Sequence, residues 1–244
     1  MPSISLDNNR DCLEQLVEQA SILLQETTLA FYDRHRSSRQ VSIDLFAQPF
    51  PAMRMADLGL VYRAHFLGTF SNVSNTFLWG WENINGFPEE AITVAQNVRR
   101  FGEAAHVPEF LTPSIPVPDE QTAARIASSA VRTTGNGNFY RIPSQYGEAY
   151  YLIEGFDLGP SQVVAVQRAI GNAISSGSVH NHVDALAAYL DMRPGVSGRG
   201  TQQGLVIDCS DGSLEIGLDD QRRVAMMRFI VDERSKDGLR TFDE

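Results

Sequence analysis

The chain has two cysteines, one lysine and no long apolar run, and each scarcity excludes something. Cys12 and Cys209 lie far apart and neither sits in a C-x-x-C, so a disulfide framework is excluded and a reducing compartment fits. No stretch approaches the roughly 18 uninterrupted apolar residues of a membrane span. The start, Pro2-Ser-Ile4 followed by Asp7 and Asp11, has no basic segment leading into an apolar one. The expected location is therefore cytoplasmic. Lys236 is the only lysine, so arginine carries nearly all the positive charge.

Signatures of catalysis are equally scarce. Neither G-x-S-x-G nor H-E-x-x-H occurs, and no two acids stand at a spacing that marks a general acid and base. Ser197-Gly-Arg-Gly-Thr201 is glycine-rich but fits neither the P-loop nor the dinucleotide fingerprint, and it reads as a mobile connector. The expectation is a protein that is not an enzyme and needs no cofactor.

What is present is an ordinary globular composition, 43% hydrophobic and 20% charged, with a formal net charge of −10. Such an excess of acid disfavours nucleic acid and anionic membranes as partners and suits a basic protein.

The most informative stretch runs from Asn75 to Glu90 and holds both tryptophans. Phe77, Trp79 and Trp81 recur at period two, which puts three aromatics on one face of a strand and marks them as core. Asn83, Asn85 and Gly86 break that strand, and Pro88-Glu-Glu90 opens a helix, with proline and carboxylates where the first turn favours them.

Upstream, residues 10–34 carry an amphipathic helix with a stripe through Leu16, Ala20, Leu23, Thr27 and Phe31, capped by Asn8 or Asn9. Alternating segments between 41 and 82 follow, then helices over 88–104 and from Pro118, and strands around Tyr140 and Tyr151. Beyond Gly155–Pro160 come two helices, 160–175 and about 179–191, a loop at 193–200, and a meander through 205–209, 214–218 and 224–231. The pattern predicts an α+β fold of two antiparallel sheets flanked by helices, with a long amphipathic N-terminal helix. It divides into an N-terminal domain, 1–156, and a C-terminal domain, 157–244.

Three groups invite chemistry. His180, His182 and Asp184 resemble metal ligands, but in a helix the two histidines diverge and no further His or Cys lies near, so no metal is expected. Cys209 stands between Asp208 and Asp211, which oppose thiolate formation. Acids are unevenly spread. Leu205–Gln221 holds Asp208, Asp211, Glu215, Asp219 and Asp220 without a base, and Ile142–Gln167 holds Glu148, Glu154 and Asp157 without one. Asp211, Glu215, Asp219 and Asp220, then Glu148, Glu154 and Asp157, are the candidate contacts for a cationic partner. The plainer reading is a set of solvated turns.

Trp79-Gly-Trp-Glu-Asn83, the helix ending Val98-Arg-Arg-Phe-Gly102 and the segment Phe139-Tyr-Arg-Ile-Pro143 resemble an uncharacterised bacterial family with a W-x-W-x-N strand, over roughly residues 40–155. The chain is more loosely similar to immunity proteins of type VI secreted nuclease toxins. That resemblance implies a stoichiometric inhibitor whose partner is a toxin with a basic surface; it implies no catalytic residue. The alternative is a small-molecule or enzymatic domain with a pocket near Trp79, Trp81 and Tyr140.

Overall fold

The computed structural model describes Ile4, Leu6, Asp7 and residues 11–230. Its axis is the helix α1 (Cys12–His35). Asp11 caps it, accepting the Glu14 N–H at 2.9 Å; Asn8 and Asn9 lie outside the described residues. The heptad-like stripe predicts one buried face, yet residues 15–23 are buried without a break, Gln15, Glu18 and Gln19 included. The sequence pattern misses this because those polar side chains are spent on other parts of the chain rather than on water.

The chain continues through β1 (Val41–Asp44), β2 (Ala52–Met55), β3 (Leu60–Ser71) and β4 (Thr76–Trp79). Then come α2 (Glu89–Ala105), α3 (Pro108–Leu111), β5 (Ser114–Pro116), α4 (Glu120–Ser128), α5 (Ala130–Thr134), β6 (Phe139–Ser144) and β7 (Gly147–Glu154). These seven strands form one antiparallel sheet around β3. The first half of β3 pairs with β2 and the second half with β4, while β7 runs along its other side and carries β6.

The remainder is α6 (Val163–Ser175), α7 (His182–Met192) and the strands β8 (Ser197–Thr201), β9 (Gly204–Cys209), β10 (Gly212–Leu218) and β11 (Val224–Ile230). They make a second antiparallel sheet in the order β11-β10-β9-β8. The fold is α+β with two antiparallel sheets and a long N-terminal helix. Residue 231, placed in the last strand by its apolar run, lies outside the described residues.

The aromatic stretch departs from its period-two reading. The strand ends at Trp79, and Trp81 lies in a 3-10 turn, Gly80–Glu82. Asn83 closes that turn with a left-handed φ of 50°, and its side chain brackets Phe87, accepting the Phe87 N–H at 2.7 Å and donating to its carbonyl at 3.0 Å. Asparagine tolerates this backbone better than most residues. All three aromatics are nevertheless buried. Trp79 is 1% exposed, edge-on to Phe77 and Phe110 at 4.8 and 5.6 Å, and its Nε1–H donates to the Glu109 carbonyl at 2.7 Å. Gly102 lets α2 pass α3, since a Cβ there would stand 2.5 Å from Phe110 Cβ.

The segment read as a mobile connector is β8, paired residue for residue with β9 from Ser197–Asp208 to Thr201–Gly204. Ladder hydrogen bonds need no side-chain pattern, so composition gave no sign of it. Gly198 permits the approach, because a Cβ there would meet Leu190 Cδ1 at 2.4 Å.

One buried cluster runs through both ends of the chain: Leu16, Leu23, Trp79 and Tyr150 belong to it together with Ile170, Leu186 and Ile216. α1 packs on α4 and α5 and also on α6 and α7. A smaller cluster, around Met53, Met55, Phe66 and Ile153, covers another part of the first sheet.

Candidate functional site

The polar side chains of α1 tie it to the C-terminal helices. Glu26 accepts the Tyr189 hydroxyl at 2.8 Å and both oxygens accept Arg193 Nε at 3.0 and 3.1 Å. Arg193 also donates to the carbonyls of Pro194 and Gly159. Burial, and then the Glu26 carboxylate, push the Tyr189 hydroxyl well above its ordinary range. Gln19 accepts Arg132 Nε at 2.9 Å, and Arg132 Nη1 donates to Asp191 at 3.0 Å. These groups are satisfied from within, as buried charges must be.

The histidine group is built for structure. Glu18 of α1 accepts the backbone N–H groups of His180 and Asn181, at 3.2 and 3.3 Å, and contacts His180 Nδ1 at 3.0 Å. Asn181 caps α7, and His182 Nδ1 accepts the Val224 N–H at 2.9 Å, which fixes β11 to α7. Among the described residues no group of three His, Cys, Asp or Glu is placed to hold a metal. Burial pushes the Cys209 thiol up, with Asp211 adding to it.

The acids that stand alone in sequence acquire partners across the strands. Arg228 of β11 pairs with Glu215, and Arg223 with Asp219 at 2.8 Å. Arg199 of β8 reaches Asp208 at 2.7 Å. Asp211 accepts the Val163 N–H at 2.8 Å and so starts α6. Asp219 shapes its turn, accepting the N–H groups of Gln221 and Arg223; the Arg223 backbone bond, then its guanidinium, hold this carboxyl below the usual range. Asp220 is exposed on the same turn. Of the second group, Glu154 contacts His65 at 3.1 Å and Arg63 at 3.6 Å, and Asp157 accepts the Gly159 N–H at 2.8 Å. Glu148 is only 5% exposed, beside Arg141, and burial pushes its carboxyl up against that guanidinium's pull. Such a group is positioned for the core rather than for a first encounter.

Among the described residues two surfaces stand out. The first is the edge formed by β11. Among the described residues it borders only β10, and Met226, Phe229 and Ile230 are 43%, 44% and 45% exposed along it.

The second is a cleft of about 960 Å³. Its wall is made by the loop Gly135–Asn138, the segment from Glu154 to Ser161, His65 on β3 and the end of α7 at Arg193. Trp79 and Trp81 are buried, at 1% and 8% exposure, while Tyr140, packed against Phe31 at 6.0 Å, lines two smaller clefts beside α1.

Residues 14–156 match DUF6882, a family of unknown function. The chain belongs to this family. No curated protein and no solved structure matches it. The matched DUF6882 span takes in α1, the seven-stranded sheet and one wall of the cleft; Asp157, Arg193 and the β10–β11 hairpin lie beyond it. Sequence reasoning missed His65 and Asn138. The only available signal was the pair of glycine-bearing turns, Gly135-Asn-Gly-Asn138 and Gly155–Pro160, which the fold brings together.

Proposed function

We propose that this DUF6882 protein is a cytoplasmic, non-catalytic binding protein, an immunity factor that neutralises a bacterial toxin, of the type VI secreted nuclease class, by stoichiometric binding. The observation that carries the reading is the β11 edge. Among the described residues it combines an unpaired strand edge with Met226 and Ile230 exposed on the outer face of the sheet, in line with the Arg228–Glu215 pair, and Phe229 half-exposed on the opposite face. An apolar centre with a charged rim is the anatomy of a protein interface, and an open edge strand offers a further strand of hydrogen bonds to a partner.

Pairing of the hairpin acids with arginine shifts the weight of the proposal. The net charge of −10 remains available for long-range attraction of a basic toxin. Residence on the partner would come from the apolar edge rather than from Asp219 or Glu215, whose charges are already neutralised locally.

The test is co-expression with the toxin encoded by the adjacent gene. Wild-type protein is expected to restore growth and to co-purify with the toxin at a fixed ratio. Met226→Asp, on the outer face of the sheet, is expected to abolish both while leaving the melting temperature within a few degrees, since surface changes are usually worth no more than about 0.5 kcal/mol. Absence of protection by the wild type refutes the assignment, and full protection by Met226→Asp refutes the surface.

A further inference from the structure

We propose that the cleft between the end of α1, β1 and β6 binds a small aromatic carboxylate. It measures about 310 Å³, at the small end of the range for small-molecule sites. Phe31, Val41, Met55, Phe139 and Ile153 give it apolar walls, with Val41 and Met55 directly opposite each other on β1 and β2. The Tyr140 ring, half-buried and 6.0 Å from Phe31, adds an aromatic side. Arg36 and Arg39, both exposed, border the cleft where the chain leaves α1. An apolar hollow with cationic groups at one end matches a ligand with an apolar body and one anionic group.

The charges sort the ligand. No Asp or Glu lines the cleft. Neither guanidinium, of Arg36 or of Arg39, has a side-chain partner among the described residues, whereas Arg63, Arg132, Arg141, Arg193 and Arg228 each meet a carboxylate. With 30 acids to 20 bases in the chain, two neighbouring arginines without an acid are an exception. Asp57 lies beside the cleft, but its oxygens accept the Ser38 hydroxyl at 2.8 Å and the Arg39 N–H at 2.6 Å. Asp33 of α1 pairs with Arg168 instead. The negative end of α1 is partly covered as well, since the Phe31 carbonyl accepts His35 Nδ1–H and the His35 carbonyl accepts the Ser38 N–H. Most other polar groups of the lining are spent. His35 Nε2 meets the Tyr62 hydroxyl, Thr27 donates to the Leu23 carbonyl, and the Asn138 amide donates to the Phe156 carbonyl while its buried Oδ1 is closed to the cleft. The two guanidinium groups remain for a ligand, together with the hydroxyls of Tyr140, Thr28 and the exposed Tyr32, which have no partner among the described residues. A guanidinium fork matches a carboxylate with two parallel N–H donors and stacks on an aromatic ring. Free phosphate would leave its charged oxygens against apolar walls. This site does not depend on the β11 edge or on a toxin.

The experiment uses the intact protein and three probes: 2-naphthoate, its neutral amide and inorganic phosphate. Affinity is measured by calorimetry, and the place of binding by the ¹³C-labelled methyl of Met55, assigned with Met55→Leu. The expected result is saturable binding of naphthoate that moves the Met55 methyl through the ring current, about tenfold tighter than the amide, and no binding of phosphate. Arg36→Gln combined with Arg39→Gln changes exposed residues only, so the fold is expected to persist, checked by its melting curve, while the preference for naphthoate over the amide disappears. The matching pair of lysine changes keeps the charge without the fork and is expected to fall between the two. Absence of naphthoate binding, a Met55 methyl that does not move, equal affinity for the amide, displacement of naphthoate by phosphate at a similar concentration, or an affinity unchanged in the glutamine variant would each overturn the proposal.

Discussion

The junction around α1 and the surface of the small sheet use the same chemistry, an arginine facing a carboxylate, in opposite settings. Arg193 and Glu26 are 5% and 4% exposed in their side chains, and each hydrogen-bonds further groups. Arg228 and Glu215 meet across two strands with much of the guanidinium in water. In water the attraction is screened and the side chains lose rotamer freedom to hold one geometry, so such a pair contributes little. In the interior, removing either partner strands a charge. The comparison teaches that the molecule is joined by its inner pairs, while its outer ones merely cancel charge.

Three measurements put pressure on that difference, the largest effect first. Arg193→Ala is expected to cost about 3–5 kcal/mol of unfolding free energy in urea denaturation, because Glu26 is left buried and unmatched. The double change Glu26→Leu with Arg193→Met is expected to recover most of the loss. A single variant that loses less than about 1 kcal/mol would erase the contrast.

An intermediate effect belongs to His182, which sits between the two settings. Burial, then Arg223, depress its proton affinity, with Asp219 and Glu18 pulling the other way and His180 adding to the depression. The neutral ring is the form that accepts the Val224 N–H. A folded-state value below the unfolded one means that the unfolded chain binds the extra proton first. Stability from this group is therefore complete above about pH 6.5 and is lost as pH falls through the folded value. Denaturation at pH 8 and pH 5 should show a loss that shrinks in His182→Asn. An unchanged pH difference would show that the β11–α7 contact does not read protons.

The smallest effect is on the surface. Arg228→Ala is expected to change stability by no more than about 1 kcal/mol, and high salt should remove even that. A loss comparable to Arg193→Ala would mean that the small sheet is held by its ion pairs.

Much of the fold is legible from local pattern. The long helix, the helix entered at Pro88 and the C-terminal meander all follow from periodicity and turn residues, which act over a few positions. What escapes is whatever depends on a distant neighbour. Trp81 keeps the period of a strand, yet Asn83 and its Phe87 contacts wind the chain into a turn there. β8 has no strand signature because its glycines bring no side-chain alternation: Gly198 serves the close approach to Leu190, and Gly200 only the pairing with β9. The candidate surfaces show the same limit. Windows of acid without a base looked like open charge, but Arg199, Arg223 and Arg228 lie just outside those windows in sequence and opposite them in space. His65 and Glu154 stand 89 positions apart, a distance no short motif can span.

The separation of Glu26 from Arg193, 167 positions, also sets an order of events at the ribosome. At roughly 5–20 residues per second, on the order of ten to thirty seconds pass between synthesis of the first and of the second. Through that interval α1 carries Leu16, Ile22 and Leu23, together with Glu26, without the α6 and α7 surfaces that finally enclose them. The nascent chain therefore exposes its most adhesive segment first and closes over it last, which makes early release or a C-terminal truncation an aggregation hazard rather than a source of a smaller stable protein.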